Sequence, residues 1–251
     1  ADLYAANESS PSAQPSATGA NAIAIGDSAV SSGDSKSTAV GANAKSVGNQ
    51  SVALGNAYAS GTMSFATAIN SNLDSYGAQA SNAVAMSYLA LASANSSIAI
   101  GYTAVAAGVK SVSLGNSYSS GTDSFAAAIA NNTSSYGATG ANSIAIGQQA
   151  KATGTASVKI GRMGTIAGDY SVGLGNGGDC TSNATFSVAL QGTYLNAAYS
   201  LGFGSESQVD SGHDRSIVLG RGAKSRTKGG VHFGGYNALG AGQNQAGIYI
   251  L

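Results

Sequence analysis

Large apolar and small residues alternate along this chain in short bursts, and each burst ends on glycine. Ser143-Ile144-Ala145-Ile146-Gly147 is the clearest: two isoleucines flank an alanine, a glycine follows, and a polar arc leads to a second glycine, Gly154. Period-two alternation over so few residues, bounded by glycines, predicts a short β-strand and opposes a helix. Close copies begin at Asn21, Ser51, Ser97, Ser111, Ser157, Ser171 and Ser216. With the last large apolar residue of each burst as a marker, fifteen units run from Ile25 to Phe233, spaced mostly by 14 or 15 residues with extremes of 13 and 17. The units marked by Ile69 and Ile129 are ambiguous in register by two residues. A longer repeat overlies these: at an offset of 60 residues Phe65 matches Phe125, Tyr76 matches Tyr136 and Met86 matches Ile146, as expected from duplicated four-unit blocks.

A fixed short period predicts a solenoid. A coil of about 14 residues has room for two strands of about five and two tight turns, with an interior for little more than two large side chains. The two glycines of each coil are expected to supply positive φ at its two corners. The alanine between the large residues faces the other way. A small residue there predicts that the outer face is also crowded, by a neighbouring chain or a returning segment. Parallel coils stacked about 4.8 Å apart would extend roughly 70 Å over fifteen units. So thin a roll has a poor surface-to-volume ratio, which predicts association of several rolls. Residues 1–20, with Pro11 and Pro15, read as a lead-in or linker. Residues 21–235 read as the repeat domain, and 236–251 as a connector to a following domain or a cap.

Composition narrows the function. Charged residues are only 9% against 43% hydrophobic, which argues against disorder. A formal net charge of zero gives no general electrostatic case for nucleic acid or anionic membranes. No apolar run approaches a membrane helix, and bursts of about five residues are too short for a membrane barrel. The expectation is a soluble protein without direct membrane insertion, any secretion signal or anchor lying outside this chain.

The recurring Ser-Val/Ile-Ala-Ile/Leu-Gly, with its polar arc and second glycine, resembles the YadA-type head repeats of trimeric autotransporter adhesins over roughly residues 21–234. That resemblance implies an all-β, left-handed parallel β-roll of about fifteen 14–15-residue coils, assembled as a homotrimer and used as a stalk-mounted binding head. No coiled-coil stalk or membrane anchor accompanies the repeats. Residues 2–10 and 242–251 resemble segments flanking such repeats in bacteriophage tail-fibre and virion surface proteins. Together these imply a non-enzymatic fibre protein on the virion surface, a rigid rod or head contributing to host-cell attachment. Its partners would be other virion tail proteins and a host-cell surface receptor, glycan or protein. The alternatives are the head of a bacterial surface adhesin that binds extracellular matrix or cells, and a purely structural spacer.

Candidate chemistry is sparse. Glycan hydrolysis needs a pair of carboxylates at a set distance, yet Glu8 and Glu206 are the only glutamates and the nine aspartates fall mainly in turns. No catalytic residue, cofactor or metal ligand is expected. Asp210 and Asp214 bracket His213 in a polar arc that reads as a solvated turn. Alternation points His232 away from Val231 and Phe233, toward a trimer axis or the surface. Cys180 lacks a local activating base and reads as a bystander thiol. Calcium-binding rolls repeat every nine residues with periodic aspartates, which this chain lacks. The candidate receptor contacts are Tyr58, Tyr118, Tyr76 and Tyr136, together with Arg221, Lys224 and Arg226 from a run of five cations that reads first as a solvated collar or interchain ion pairs and second as a ligand contact. The arcs 70–80 and 131–140 are the expected outward loops.

Overall fold

The computed structural model describes residues 13–234, and the chain divides into two units, 1–119 and 120–251. Each unit is a parallel β-solenoid, and no helix occurs among the described residues. Every regular coil carries a three-residue strand and a two-residue strand, shorter than the five residues expected of each. In unit 1 the first row includes Ile23–Ile25, Thr38–Val40, Val52–Leu54 and Ile98–Ile100, and the second includes Val30–Ser31, Lys45–Ser46 and Leu91–Ala92. Unit 2 repeats the arrangement, with Ile144–Ile146, Val158–Ile160 and Val172–Leu174 in one row and Lys151–Ala152, Thr165–Ile166 and Asp179–Cys180 in the other. Pairing is in register from coil to coil, for example Ile144↔Val158, Ala145↔Lys159 and Ile146↔Ile160. The ladder begins before Asn21, because Ser16–Ala17 already pairs with Val30–Ser31. The connector at 236–251 lies outside the described residues.

The alternation is real, but its two faces are reversed from the expectation. Ala39, Ala53, Ala85, Ala99 and Ala145, the central residues of their strands, have no exposed surface. The large residues on either side point outward and stay partly exposed, reaching 50% at Ile23 and 42% at Ile160. The reason is girth. Strands of three and two residues bend the chain so tightly that in these coils an alanine or serine fills the space between the two rows. Ser31, Ser46 and Ala92 fill the facing column in unit 1.

The glycines also divide their work differently. The glycine that follows most three-residue strands has a φ that only glycine adopts readily, 114° at Gly147 and 119° at Gly161, although Ala68, Ser87, Ala128 and Gln191 take that corner in four coils. The second glycine, such as Gly154, is not in the left-handed region. It is needed for close stacking, since a Cβ there would lie 2.4 Å from the carbonyl oxygen of Gly168 in the next coil. The left-handed position of that corner falls two residues later, at Ala156 (φ 52°) and Asn142 (φ 56°). The serine that follows closes the turn by donating its hydroxyl to the glycine carbonyl, as Ser157 Oγ does to Gly154 O at 2.7 Å and Ser51 Oγ to Gly48 O at 2.7 Å.

The ambiguous registers resolve. Phe65-Ala66-Thr67 pairs with Val84-Ala85-Met86, and Phe125-Ala126-Ala127 with Ile144-Ala145-Ile146. Ile69 and Ile129 therefore do not end strands; they turn fully inward where the longer arcs leave the coil.

From Lys159 onward the interior of unit 2 changes character. Lys159, Ile166, Cys180, Leu195, Val209 and Val218 take positions that alanine or serine fills elsewhere. Glycines opposite them keep the volume in balance. A Cβ on Gly173 would lie 2.3 Å from Ile166 Cδ1, and one on Gly202 would lie 2.0 Å from Thr193 Cγ2 and 3.0 Å from Leu195 Cδ2.

Candidate ligand-contact surface

The outward large residues give each unit a continuous apolar stripe along its three-residue strands. In unit 1 it includes Ile23, Ile25 and Ile100; in unit 2 it includes Ile144, Ile160, Leu174 and Phe203. The two-residue strands present a different face, with Lys45 and Tyr58 in unit 1 and Lys151, Thr165, Asp179, Tyr194 and Gln208 in unit 2.

The candidate contact tyrosines separate into two kinds. Tyr58 and Tyr118 open two-residue strands and are half-buried on the polar face, with Lys45 Nζ 5.1 Å from the Tyr58 ring centre. Tyr76 and Tyr136 pack against the alanine core and close the base of the longer arcs. The arcs do project: Leu73, Asp74 and Ser75 are exposed at one tip, and Thr133, Ser134 and Ser135 at the other. Asn131 Oδ1 holds the second tip, accepting from Thr133 N at 2.8 Å and Thr133 Oγ1 at 2.6 Å.

The cationic run has partners within the chain. Arg221 lies 3.3 Å from Glu206 and Lys228 lies 3.5 Å from Asp214, while Lys224 and Arg226 are exposed. The His213 arc is knit together. His213 Nδ1 and Ser225 Oγ are 2.8 Å apart, Asp210 N donates to the same hydroxyl at 3.0 Å, and Asp214 Oδ1 accepts from Ala198 N at 3.1 Å. Among the described residues no group of His, Cys, Asp or Glu is arranged to hold a metal. His232 is corrected: it faces into the coil, in register with Val218, and its Nε2 accepts from Arg226 N at 3.4 Å. It follows the reversed alternation, in which the middle residue of a three-residue strand is interior.

Cys180 is interior too. Burial, reinforced by the charge of Asp179 and opposed by that of Lys159, pushes its thiol up to about 12, so it stays protonated and unreactive near neutrality. Lys159 went unnoticed in the sequence, although alternation in Ser157-Val158-Lys159-Ile160 puts it at the alanine position. It has no exposed surface, and its ammonium donates to the carbonyls of Gly175, at 2.9 Å, and Gly177. Burial draws its pKa below 10.5, against the opposing charges of Asp179 and Cys180.

A second feature escaped notice. Tyr170, Phe186 and Tyr199 form a stack on one corner of unit 2, with ring centres 4.9 and 5.2 Å apart and planes within 5°. All three are at least half exposed, and all have φ between 53° and 56°. Asn, Lys and Gln occupy the same corner in unit 1, at Asn21, Lys36 and Gln50. A bulky residue in the left-handed region costs about 1–2 kcal/mol, and stacking returns about 0.5–1.5 kcal/mol per pair. Tyr88 and Tyr102 make a comparable pair in unit 1, 5.3 Å apart. The sequence signal was an aromatic directly before the serine of successive coils.

Comparison with curated proteins found no match. The family model for the YadA head domain repeat matches residues 17–35, 35–57, 92–117 and 138–161. The last span ends where the interior changes, just beyond Lys159, although the later coils keep their pairing register. In the matched spans the chain is similar to YadA head repeats, and its motif serine, central alanine and following glycine are the residues that close the turn, fill the coil and allow the corner.

Proposed function

We propose that the chain is a homotrimeric, non-enzymatic head that mediates attachment from a surface, with the apolar stripe of the three-residue strands as the interface between copies. The observation that carries this is the reversed packing: the large apolar side chains that flank the central residue of the three-residue strands lie outside the coil. Apolar stripes recurring coil after coil need a cover. The repeats matched by the YadA head model favour copies of the same chain as that cover, because such heads are trimers displayed outside the cell. The polar face, the arcs at 70–80 and 131–140 and the exposed cations Lys224 and Arg226 are then left toward solvent. Three copies would raise the avidity of individually weak contacts.

As the carrier we propose a bacteriophage tail fibre. The segments 2–10 and 242–251 that suggest it lie outside the described residues. The YadA match favours a second reading, the head of a bacterial surface adhesin. Recovery of these peptides from purified virions supports the first, and recovery from a bacterial outer surface supports the second.

Assembly is tested by sedimentation of the purified chain. The expected mass is three times 24.3 kDa. Ile100→Glu combined with Ile160→Glu is expected to dissociate it. A wild-type chain that stays monomeric at micromolar concentration overturns the proposal.

A further inference from the structure

The polar face of unit 2 holds a hollow of about 390 Å³, lined among others by Thr165, Asp179, Thr181, Ser182 and Tyr194. Its origin is legible in the ladder. Successive outward positions of the two-residue strands run Lys151, Thr165, Asp179, Tyr194 and Gln208, so two short side chains sit between long ones. The arc after Cys180 is two residues longer than the arc after Ile166, and its Thr181 and Ser182 wall the hollow. This volume falls within the roughly 300–1,000 Å³ of small-ligand sites.

The lining combines an aromatic surface with hydrogen-bonding groups. Tyr194 is 42% exposed, and no ring stacks on it among the described residues. This distinguishes it from Tyr170 and Tyr199, each with one ring face on Phe186, and from Phe186, which lies between them. Asp179 spends one carboxylate oxygen on Thr165 N, at 2.5 Å, and the other has no hydrogen-bond partner among the described residues. Thr181 Oγ1 donates to Asn196 Oδ1 at 2.6 Å, which fixes its rotamer and leaves its lone pairs for a ligand donor. A flat apolar surface beside an unspent carboxylate and hydroxyls matches a pyranose, which has an apolar C–H face and a rim of hydroxyl donors. The single charge of the lining is negative, so an anionic sugar is disfavoured.

We propose that this hollow binds one neutral pyranose residue, stacked on Tyr194 and hydrogen-bonded through vicinal hydroxyls to Asp179 and Thr181. The proposal deepens the attachment reading by naming its ligand class, and rests on that reading only for the biological source of the sugar.

The test is saturation-transfer NMR on the full chain with the methyl glycosides of glucose, galactose, mannose, N-acetylglucosamine and glucuronic acid. At least one neutral glycoside is expected to bind, with a dissociation constant of about 1 mM, and the glucuronide more weakly. Tyr194→Ala is expected to abolish the signal and Tyr194→Phe to keep it. Asp179→Asn retains an oxygen for Thr165 N and is expected to weaken binding about tenfold, since charge-assisted hydrogen bonds are roughly twice as strong as neutral ones. Tyr102→Ala, in unit 1, leaves binding unchanged. Circular dichroism and the melting midpoint establish that each variant is folded. Absence of signal from every neutral glycoside, preference for the glucuronide, or equal binding by Asp179→Asn and wild type overturns the proposal. Cell attachment that survives without sugar binding sinks this inference alone; sugar binding without attachment to any cell sinks the attachment reading.

Discussion

Gly154→Ala tests the stacking argument most directly. The added Cβ would lie 2.4 Å from Gly168 O, 2.7 Å from Gly168 C and 2.9 Å from Ala167 O. All three are backbone atoms, so no side chain can swing aside. Restoring ordinary contact requires the two coils to part by about 1 Å. That displacement breaks the hydrogen bonds from Gly154 N and Thr153 N to Ile166 O, now 3.2 and 2.9 Å. Two such bonds are worth about 2 kcal/mol, and forced overpacking adds about 1–3 kcal/mol. The expected loss is about 3–5 kcal/mol. Gly222→Ala is the control. Gly222 has φ 70° with nothing within 4 Å of an added Cβ, so only the left-handed conformation is penalised, by about 1 kcal/mol. Ala156 already occupies that region at φ 52°. In a repeat array opening is local, so the assay is hydrogen exchange of peptides covering 150–172 in the full chain, alongside the urea midpoint. The reasoning fails if the two variants lose stability equally.

Other outcomes follow from the interior of unit 2. Gly173→Ala alone drives a Cβ into Ile166 Cδ1, whereas Ile166→Ala/Gly173→Ala restores the all-alanine interior of other coils; urea unfolding of the double-mutant cycle should show favourable coupling of about 1–3 kcal/mol. Lys159 has a folded pKa below its unfolded 10.5, so the unfolded chain binds the proton more tightly and stability should rise as pH rises from the depressed value toward 10.5. Lys159→Met should lack that contribution when the two proteins' urea midpoints are compared across alkaline pH. Cys180 has the opposite sign: its pKa is raised from 9.0 to about 12, so its stabilising contribution is full below pH 9 and is lost as pH climbs toward 12. In native protein at pH 8 its thiol should react with a disulfide reagent only as fast as the coil opens, and immediate reaction would refute its burial.

The alternation in Ser-Ile-Ala-Ile-Gly, repeated at a nearly constant step, was enough to establish strands and parallel coils, but not the strand lengths, which are three and two residues instead of about five. These depend on local geometry, because alternate side chains must share a face and a recurring step must stack. Which face is inside was not local information. It depends on how near the two rows of a coil approach, and that distance admits Ala145 but not Ile144 or Ile146. The same limit decided the rest. Gly154 is set by the carbonyl of the next coil rather than by its own φ. Ile69 and Ile129 are placed by where an arc leaves the stack. Lys159 is tolerated because the carbonyls of Gly175 and Gly177 in the next coil accept from its ammonium. The hollow beside Tyr194 arises from side-chain lengths on neighbouring coils, residues about 14 apart in the chain that only the ladder brings side by side.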